Sequence, residues 1–179
     1  MKKLLVVVDF QNDFIDGALG TPEAEAIVPN VIDKVKNWDG DIWFTADTHD
    51  KDYMNTNEGK HLPVIHCVEN TNGWELRKEV AEIAREKLGN VDLAEVTYKK
   101  ATFGSTALAM NIQFYDYDYV EFIGLCTDIC VASNAIMLKA FCPEIKIVVD
   151  PTCCAGVTPE THTAALTTMQ MCQIDVPEE

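Results

Sequence analysis

Cys130 is the residue of this sequence with the clearest potential for covalent chemistry. It follows a run of strand-forming residues that ends at Gly124, and Thr127 or Asp128 can cap a helix that begins just before the cysteine. The first N–H groups of a helix have no intrahelical partners and lie at the positive end of its dipole, so they favour the thiolate form. Cys130 is therefore a candidate nucleophile, although a free cysteine is more often a small buried hydrophobic residue.

An acid and an amine stand at comparable places in the sequence. Asp9 follows the apolar run LLVVV, and Lys99 and Lys100 follow a shorter run of strand-forming residues. Because the carboxyl ends of parallel strands meet at one edge of a sheet, these side chains and Cys130 are expected to share a cleft. A carboxylate that accepts the thiol proton and an ammonium that favours the thiolate would activate the sulfur. The grouping predicts nucleophilic hydrolysis, whereas each charged residue alone could be an ordinary turn or surface residue.

Alternating strands and helices must bring these residues together. Aliphatic and aromatic runs predict strands, and amphipathic stretches between them predict helices. The predicted strands cover 4–8, 41–47, 94–98, 119–124, 145–150 and 172–176, and the predicted helices cover 22–37, 74–88, 103–112, a stretch from about 127, and 158–171. This order predicts a three-layer α/β/α fold with a mainly parallel six-stranded sheet of the Rossmann-like type. We expect a single domain over residues 1–179, with a polar loop at about 47–73.

Composition and charge narrow the classes of protein to consider. With 179 residues, of which 47% are hydrophobic and 24% charged, the chain resembles an ordinary globular protein with one core. The formal net charge of −15 disfavours nucleic acids and anionic membranes as partners. No apolar run is long enough for a signal peptide or a membrane helix. The seven cysteines lack zinc-ribbon spacing, which favours reduced thiols and a cytoplasmic location.

Three segments make the interpretation more specific. VVVDFQNDF, KATFGS and GLCTDICVASNA resemble the signature segments of the isochorismatase-like cysteine hydrolases, whose best-known members are nicotinamidases, and the resemblance covers nearly the whole chain. It implies a catalytic triad of Asp9, Lys100 and Cys130. Lys100 is preferred to Lys99 because its spacing from Phe103 matches that of the family's lysine.

The resemblance also implies how the reaction's oxyanion is held. The family has a non-proline cis peptide bond in the turn before the nucleophile, which corresponds here to Leu125–Cys126. That bond would direct the N–H of Cys126 toward the oxyanion, together with the N–H of Cys130.

The polar loop carries side chains that correspond to the metal ligands of nicotinamidases. The resemblance implies that Asp47, His49 and His66 are ligands and that Glu58 can join them, whereas His61 is expected at the surface. The segment PVIHC has one residue more between proline and histidine than the commoner spacing. Such donors suit Zn²⁺, Fe²⁺ or Mn²⁺, and zinc is the preferred expectation. Without the resemblance, these residues would be read as ordinary polar residues of a solvated loop.

A substrate pocket and an activity follow from the same resemblance. Phe14 and Phe103 match aromatic positions that could hold a flat ring, and Asp128 and Ile129 lie beside the nucleophile. In the family the metal positions the pyridine nitrogen of nicotinamide. The implied reaction is therefore hydrolysis of a small carboxamide, with nicotinamide to nicotinate and ammonia as the favoured case. A homo-oligomer is expected, because family members commonly form dimers or larger assemblies.

Other functions remain open at this point. The chain could hydrolyse another small amide or an N-carbamoyl compound, and finding no bound metal would favour that alternative. An isochorismatase-type hydrolase of a vinyl ether would not need the cysteine. A catalytically silent scaffold would have a Cys130 no more reactive toward iodoacetamide than the buried cysteines.

Overall fold

The chain folds around a parallel sheet in the computed structural model, which describes residues 1–178. Within that range the sheet has five strands in the order β3-β2-β1-β4-β5, and every neighbouring pair is parallel. The strands are β1 (Lys3–Val8), β2 (Asp41–Asp47), β3 (Thr97–Lys100), β4 (Tyr119–Leu125) and β5 (Lys146–Ala155).

Eight α-helices occur within residues 1–178, and several short turns of other helix types accompany them. The helices are α1 (Asn12–Ile15), α2 (Pro22–Ala26), α3 (Val28–Asn37), α4 (Asn57–His61), α5 (Lys78–Leu88), α6 (Thr106–Tyr115), α7 (Ala132–Phe141) and α8 (Pro159–Met171). Short 3₁₀ turns cover Tyr53–Asn55 and Leu93–Val96, and a π-helical turn covers Thr127–Val131. No helix in this part of the chain is both long and apolar enough to cross a membrane.

The central strand β1 explains why helices cover both faces of the sheet. Successive side chains of a strand point to opposite faces, and every residue from 4 to 8 is apolar and fully buried. Leu4, Val6 and Val8 join a core with residues of α6, α7 and α8, whereas Leu5 and Val7 join a core with residues of α3 and α5. A strand buried on both faces therefore reads as a continuous apolar run.

The predicted α/β fold with a parallel sheet is confirmed, but two elements differ. The expected sixth strand at residues 172–176 is reduced to a single parallel bridge between Asp175 and Val148. The N–H groups of residues 172–174 still donate to carbonyls of α8, and Gln173 has a left-handed φ of +64°, so the extended chain begins too late for a strand. The helix expected over 22–37 is divided into α2 and α3. Pro29 explains the division, since proline lacks an N–H and its ring clashes with the carbonyl one turn earlier.

Several element boundaries also differ from the predictions. The strand expected at 94–98 is β3, at 97–100, so both lysines lie in the strand and not beyond it. The helix expected from Trp74 begins at Lys78, because the N–H groups of Trp74 and Glu75 bond to a preceding turn. Neither Thr127 nor Asp128 caps the helix after β4. Cys126 holds the capping position there, without a side-chain hydrogen bond.

Candidate active site

The carboxyl ends of β1, β3 and β4 bring Asp9, Lys100 and Cys130 into contact. Lys100 Nζ lies 2.6 Å from Asp9 Oδ2 and 3.4 Å from Cys130 Sγ. Asp9 is fully buried, and Lys100 and Cys130 are each 6% exposed. Lys99 instead forms an exposed ion pair with Glu69 at 2.6 Å. One buried ammonium therefore joins the acid to the sulfur.

Asp9 is held at the end of β1 by the neighbouring strand β2. Its N–H donates to the carbonyl and the hydroxyl oxygens of Thr45 at 3.2 and 3.1 Å, and the Thr45 hydroxyl donates to Asp9 Oδ1 at 2.7 Å. Burial raises the pKa of Asp9 above its usual range, although the charge of Lys100 opposes that rise. The carboxyl group is thus prepared to hold a proton during a reaction.

Burial also controls the protonation of the other two groups. It raises the pKa of the Cys130 thiol, and the charge of Asp9 adds to this effect while Lys100 opposes it. The effect expected of the helix terminus, which favours the thiolate, is therefore opposed here by burial. Burial alone would lower the pKa of Lys100, but the charges of Asp9, Cys130 and Asp47 outweigh it and raise that pKa. Lys100 accordingly stays protonated between the carboxyl group and the thiol.

Cys130 lies in the π-helical turn that follows β4. The Leu125–Cys126 peptide bond before this turn is cis. The N–H groups of Ile129 and Val131 both donate to the Cys126 carbonyl, at 3.1 and 3.0 Å, so the turn winds around that carbonyl. Burial raises the pKa of the Cys126 thiol to about 12, which leaves this second sulfur protonated.

The same turn is tied to α8 by a contact that the sequence did not suggest. The Thr127 hydroxyl and His162 Nδ1 lie 2.8 Å apart and share a hydrogen bond. Thr127 is fully buried, so this bond satisfies a hydroxyl that has no access to water.

Four side chains next to the triad form a compact group of metal-binding type. They are Asp47, His49, Glu58 and His66, and one nitrogen or carboxylate oxygen from each lies within 4.8 Å of all the others. Asp47 Oδ2 is 2.9 Å from His49 Nε2 and 3.3 Å from His66 Nε2. Glu58 Oε1 is 3.8 and 3.9 Å from the same two nitrogens. Two imidazoles and two carboxylates at this separation suit Zn²⁺, Fe²⁺ or Mn²⁺.

Neighbouring residues orient the two imidazoles of this group. His66 Nδ1 is 2.8 Å from the Val64 carbonyl, so Nδ1 carries a proton, and Nε2 is the nitrogen that faces the group and would bind a metal once it has no proton. The Tyr53 ring packs against both imidazoles, with centroid distances of 4.6 Å to His49 and 5.0 Å to His66. His61 lies at the surface and its Nδ1 contacts the Asn57 carbonyl at 2.8 Å. The arrangement therefore fits a metal ion without His61.

Asp47 connects the metal-type group to the triad. Its Oδ1 lies 3.5 Å from Lys100 Nζ. Burial alone would raise the pKa of Asp47, but the hydrogen bonds of His49 and His66 and the charge of Lys100 hold it well below its usual range. Asp47 therefore stays an anion beside the buried ammonium.

The four expected pocket residues differ in their burial and in their contacts. Phe14 is nearly buried and its ring lies edge-on to His66, with 5.5 Å between centroids. Phe103 is 44% exposed. Both carboxylate oxygens of Asp128 accept the Val157 N–H at 3.2 Å, and Ile129 packs against the core. Phe14 is thus brought to the metal-type group, whereas Asp128 and Ile129 have contacts elsewhere.

Sequence reasoning missed two residues that support the site, Thr45 and Gln11. Gln11 is fully buried, and its Nε2 donates to the carbonyls of Asp47 at 2.9 Å and Trp74 at 2.8 Å. Its Oε1 accepts the Asp47 N–H at 2.8 Å. Both residues are polar positions inside or next to an apolar strand and lie two residues from an aspartate, and that pattern was an available signal.

Comparisons with known proteins find a matching domain family and similar structures. The isochorismatase domain model matches residues 3–176. An uncharacterized isochorismatase family protein PncA of Bacillus subtilis is 30% identical over 175 residues, which cover 93% of this chain and 93% of that protein. The crystal structure of nicotinamidase/pyrazinamidase PncA from Bacillus subtilis has a TM-score of 0.83 and 27% identity, over 99% of this chain and 100% of that one.

A metal-containing structure is also similar. The pyrazinamidase of Pyrococcus horikoshii in complex with zinc has a TM-score of 0.76 and 26% identity, over 100% of both chains. Since the domain model spans nearly the whole sequence, this chain belongs to the isochorismatase family.

Proposed function

We propose that the protein is a cysteine-dependent amidohydrolase that converts nicotinamide to nicotinate and ammonia. The observation that carries this proposal is the position of Lys100 Nζ, which contacts Asp9, Cys130 and Asp47 at once. A candidate nucleophile, its proton acceptor and a metal-type group thus adjoin one another. Relatives named nicotinamidase and pyrazinamidase support nicotinamide as the substrate.

Acylation is the first half of the proposed reaction. Asp9 takes the thiol proton of Cys130, and Sγ forms a bond to the carboxamide carbon while the carbonyl oxygen becomes an oxyanion. The N–H groups of Cys126 and Cys130 are the proposed donors to that oxyanion. The C–N bond then breaks, and the nitrogen takes the proton from Asp9 and leaves as ammonia. Lys100 offsets the negative charge, whether it lies on oxygen or on sulfur.

Deacylation restores the protein. A water molecule gives a proton to Asp9 and its oxygen adds to the thioester carbonyl. The C–S bond breaks, nicotinic acid forms, and Sγ recovers the proton that Asp9 holds. Each half of the cycle therefore uses the same acid, and the opposing effects of burial and Lys100 on its pKa suit a group that must both take and give a proton.

A divalent ion, with zinc favoured, fits the four donors of Asp47, His49, Glu58 and His66. When bound, it would hold the ring nitrogen of nicotinamide. Phe14, edge-on to His66, would contact the ring. We further propose that the protein acts in NAD salvage in the cytoplasm as a homo-oligomer. It is proposed to have no nucleic-acid or membrane partner, because its net charge of −15 would repel phosphate groups.

The direct test is incubation of the metal-loaded protein with nicotinamide. We expect equal amounts of nicotinate and ammonia, and we expect iodoacetamide pretreatment to abolish both. If nicotinamide is untouched while another carboxamide or an N-carbamoyl compound releases ammonia, the enzyme class stands but the substrate assignment is wrong. If no amide is cleaved, the proposal as a whole is wrong.

Removal of the metal group tests its assignment to substrate positioning. His66→Ala, or treatment with a chelator, is expected to raise the KM for nicotinamide by about tenfold or more, because the ring nitrogen loses its partner. The rate at which iodoacetamide alkylates Cys130 should stay within about twofold, since the metal has no part in forming the nucleophile. His61→Ala is the matched control, because that imidazole lies outside the group. An unchanged KM in His66→Ala would remove the metal from substrate binding.

A further inference from the structure

Asn134 is a buried amide that bonds to the nucleophile's backbone and to the segment after β3. It is 2% exposed. Its Nδ2 donates to the Cys130 carbonyl at 2.7 Å and to the Phe103 carbonyl at 3.2 Å. Its Oδ1 accepts the Ser105 N–H at 2.9 Å. One side chain therefore joins two segments that are separate in the sequence.

The segment in question, residues 101–105, runs from Lys100 at the end of β3 to the start of α6. Ser105 caps α6 by accepting the Leu108 N–H at 3.2 Å. Gly104 lies so close to α7 that a Cβ there would stand 2.7 Å from Met137 Cε and 3.6 Å from Ser133 Cβ. The segment thus rests directly on the helix that carries Asn134. Its position relative to Cys130 depends on this contact.

Only an amide can make these bonds with a single short side chain, because it offers two N–H donors and one oxygen acceptor. An aspartate keeps the acceptor for the Ser105 N–H and loses both donors. An alanine loses all three bonds. Nδ2 bonds to the carbonyls of both Phe103 and Cys130. Loss of its N–H donors would therefore break the link between the backbone of Phe103 and the backbone of Cys130.

We propose that Asn134 is a positioning residue that sets Phe103 relative to Cys130 and thereby gives the site its affinity for an aromatic ring. This inference rests on the proposed function, because it takes Phe103 as part of the substrate pocket. Asn134 acts through the backbone of Phe103 and does not touch the substrate. Its loss should weaken ring binding even where the triad and the metal-type group are intact.

The experiment measures how well nicotinate protects Cys130 from iodoacetamide in the metal-loaded protein. Asn134→Ala is expected to raise the nicotinate concentration for half-protection by about tenfold. Asn134→Asp, which keeps the side-chain volume, should do the same and replaces the alanine variant if that variant does not fold. Asn111→Ala is the matched control, because Asn111 is an exposed amide of α6 that bonds to the Tyr98 hydroxyl. This control should leave half-protection within about twofold of the wild type.

A double-mutant comparison separates positioning from a general loss of structure. If Asn134 acts through Phe103, then Phe103→Ala and Phe103→Ala/Asn134→Ala should reach half-protection at the same nicotinate concentration. Independent, additive shifts in the double variant would overturn the proposal. So would half-protection in Asn134→Ala within about twofold of the wild type.

The outcomes for this inference and for the proposed function can be told apart. A wild type that releases ammonia from nicotinamide, while Asn134→Ala binds nicotinate as tightly, overturns only the inference about Asn134. If Asn134→Ala weakens the protection by nicotinate but the wild type releases no ammonia from nicotinamide, only the proposed activity is wrong. A wild type that nicotinate does not protect at all overturns the inference about Asn134, and release of ammonia from nicotinamide still decides the proposed activity.

Discussion

Replacement of Cys130 by alanine is expected to lower kcat for nicotinamide by about 10⁴-fold or more. The variant loses the atom that is proposed to form the thioester, whereas the proposed oxyanion donors and the metal-type group remain. The removed sulfur is small, so folding should be retained. Ammonia release under conditions where protein exceeds substrate gives the measurement, with circular dichroism as the test of folding.

Cys172→Ala is the matched control for this change. Cys172 is a half-buried free cysteine after the end of α8, outside the group around Lys100. Its loss should leave kcat within about twofold of the wild type. If Cys130→Ala keeps more than about one per cent of the wild-type rate, Cys130 is not the nucleophile.

Replacement of Lys100 by methionine is expected to lower both activity and stability. Without the ammonium, the proton transfer from Cys130 to Asp9 leaves a buried negative charge without a partner, so kcat/KM should fall by about 10³-fold. Asp9 also becomes an unpaired buried acid, which should cost about 3 to 5 kcal/mol in the free energy of unfolding. Urea unfolding of the variant and of the wild type measures the second effect.

The stability that Lys100→Met loses is expected to depend on pH in a definite direction. Burial already raises the pKa of Asp9, and loss of Lys100 removes the main opposing charge, so the folded-state pKa rises further. A raised carboxyl pKa in the folded state means that stability is lost as the pH rises through that value. Lys100→Met should therefore be less destabilised in mildly acidic buffer than at neutral pH. Equal destabilisation at both would contradict the ion pair as its cause.

A second variant separates charge from packing. Asp9→Asn/Lys100→Met removes the close ion pair, so most of the lost stability should return, because position 9 carries no charge and Asp47 keeps His49 and His66 as partners. Activity should stay as low as in Lys100→Met, since neither the base nor the ammonium is present. If the double variant is as unstable as the single one, the cost arises from the volume and shape of the methionine.

The strands that carry the site were predictable from the sequence because their environment is uniform. Apolar residues on both faces of β1 make a continuous run, and the same is true of most of β2 and β4. Since parallel strands end at a common edge, the convergence of Asp9 and Cys130 follows from topology alone. The family resemblance was needed to choose Lys100 over Lys99.

What the sequence could not predict depends on contacts between distant segments. The bonds of Asn134 and Gln11 require side chains to meet backbone groups from other elements. The raised pKa of Cys130 depends chiefly on its burial, which comes from the packing of several separate elements around it. The division of the helix at Pro29 was a different case, because proline chemistry alone predicts it and the apolar periodicity obscured it.

The central claim is that Cys130 forms a thioester with the substrate, and acid quenching during turnover tests it most directly. Peptide mass analysis of the quenched protein should find one nicotinoyl group, and it should lie on the peptide that contains Cys130. The other six cysteines serve as internal controls. A nicotinoyl group on a different cysteine, or steady hydrolysis with Cys130 never acylated under conditions that preserve thioesters, would contradict the account.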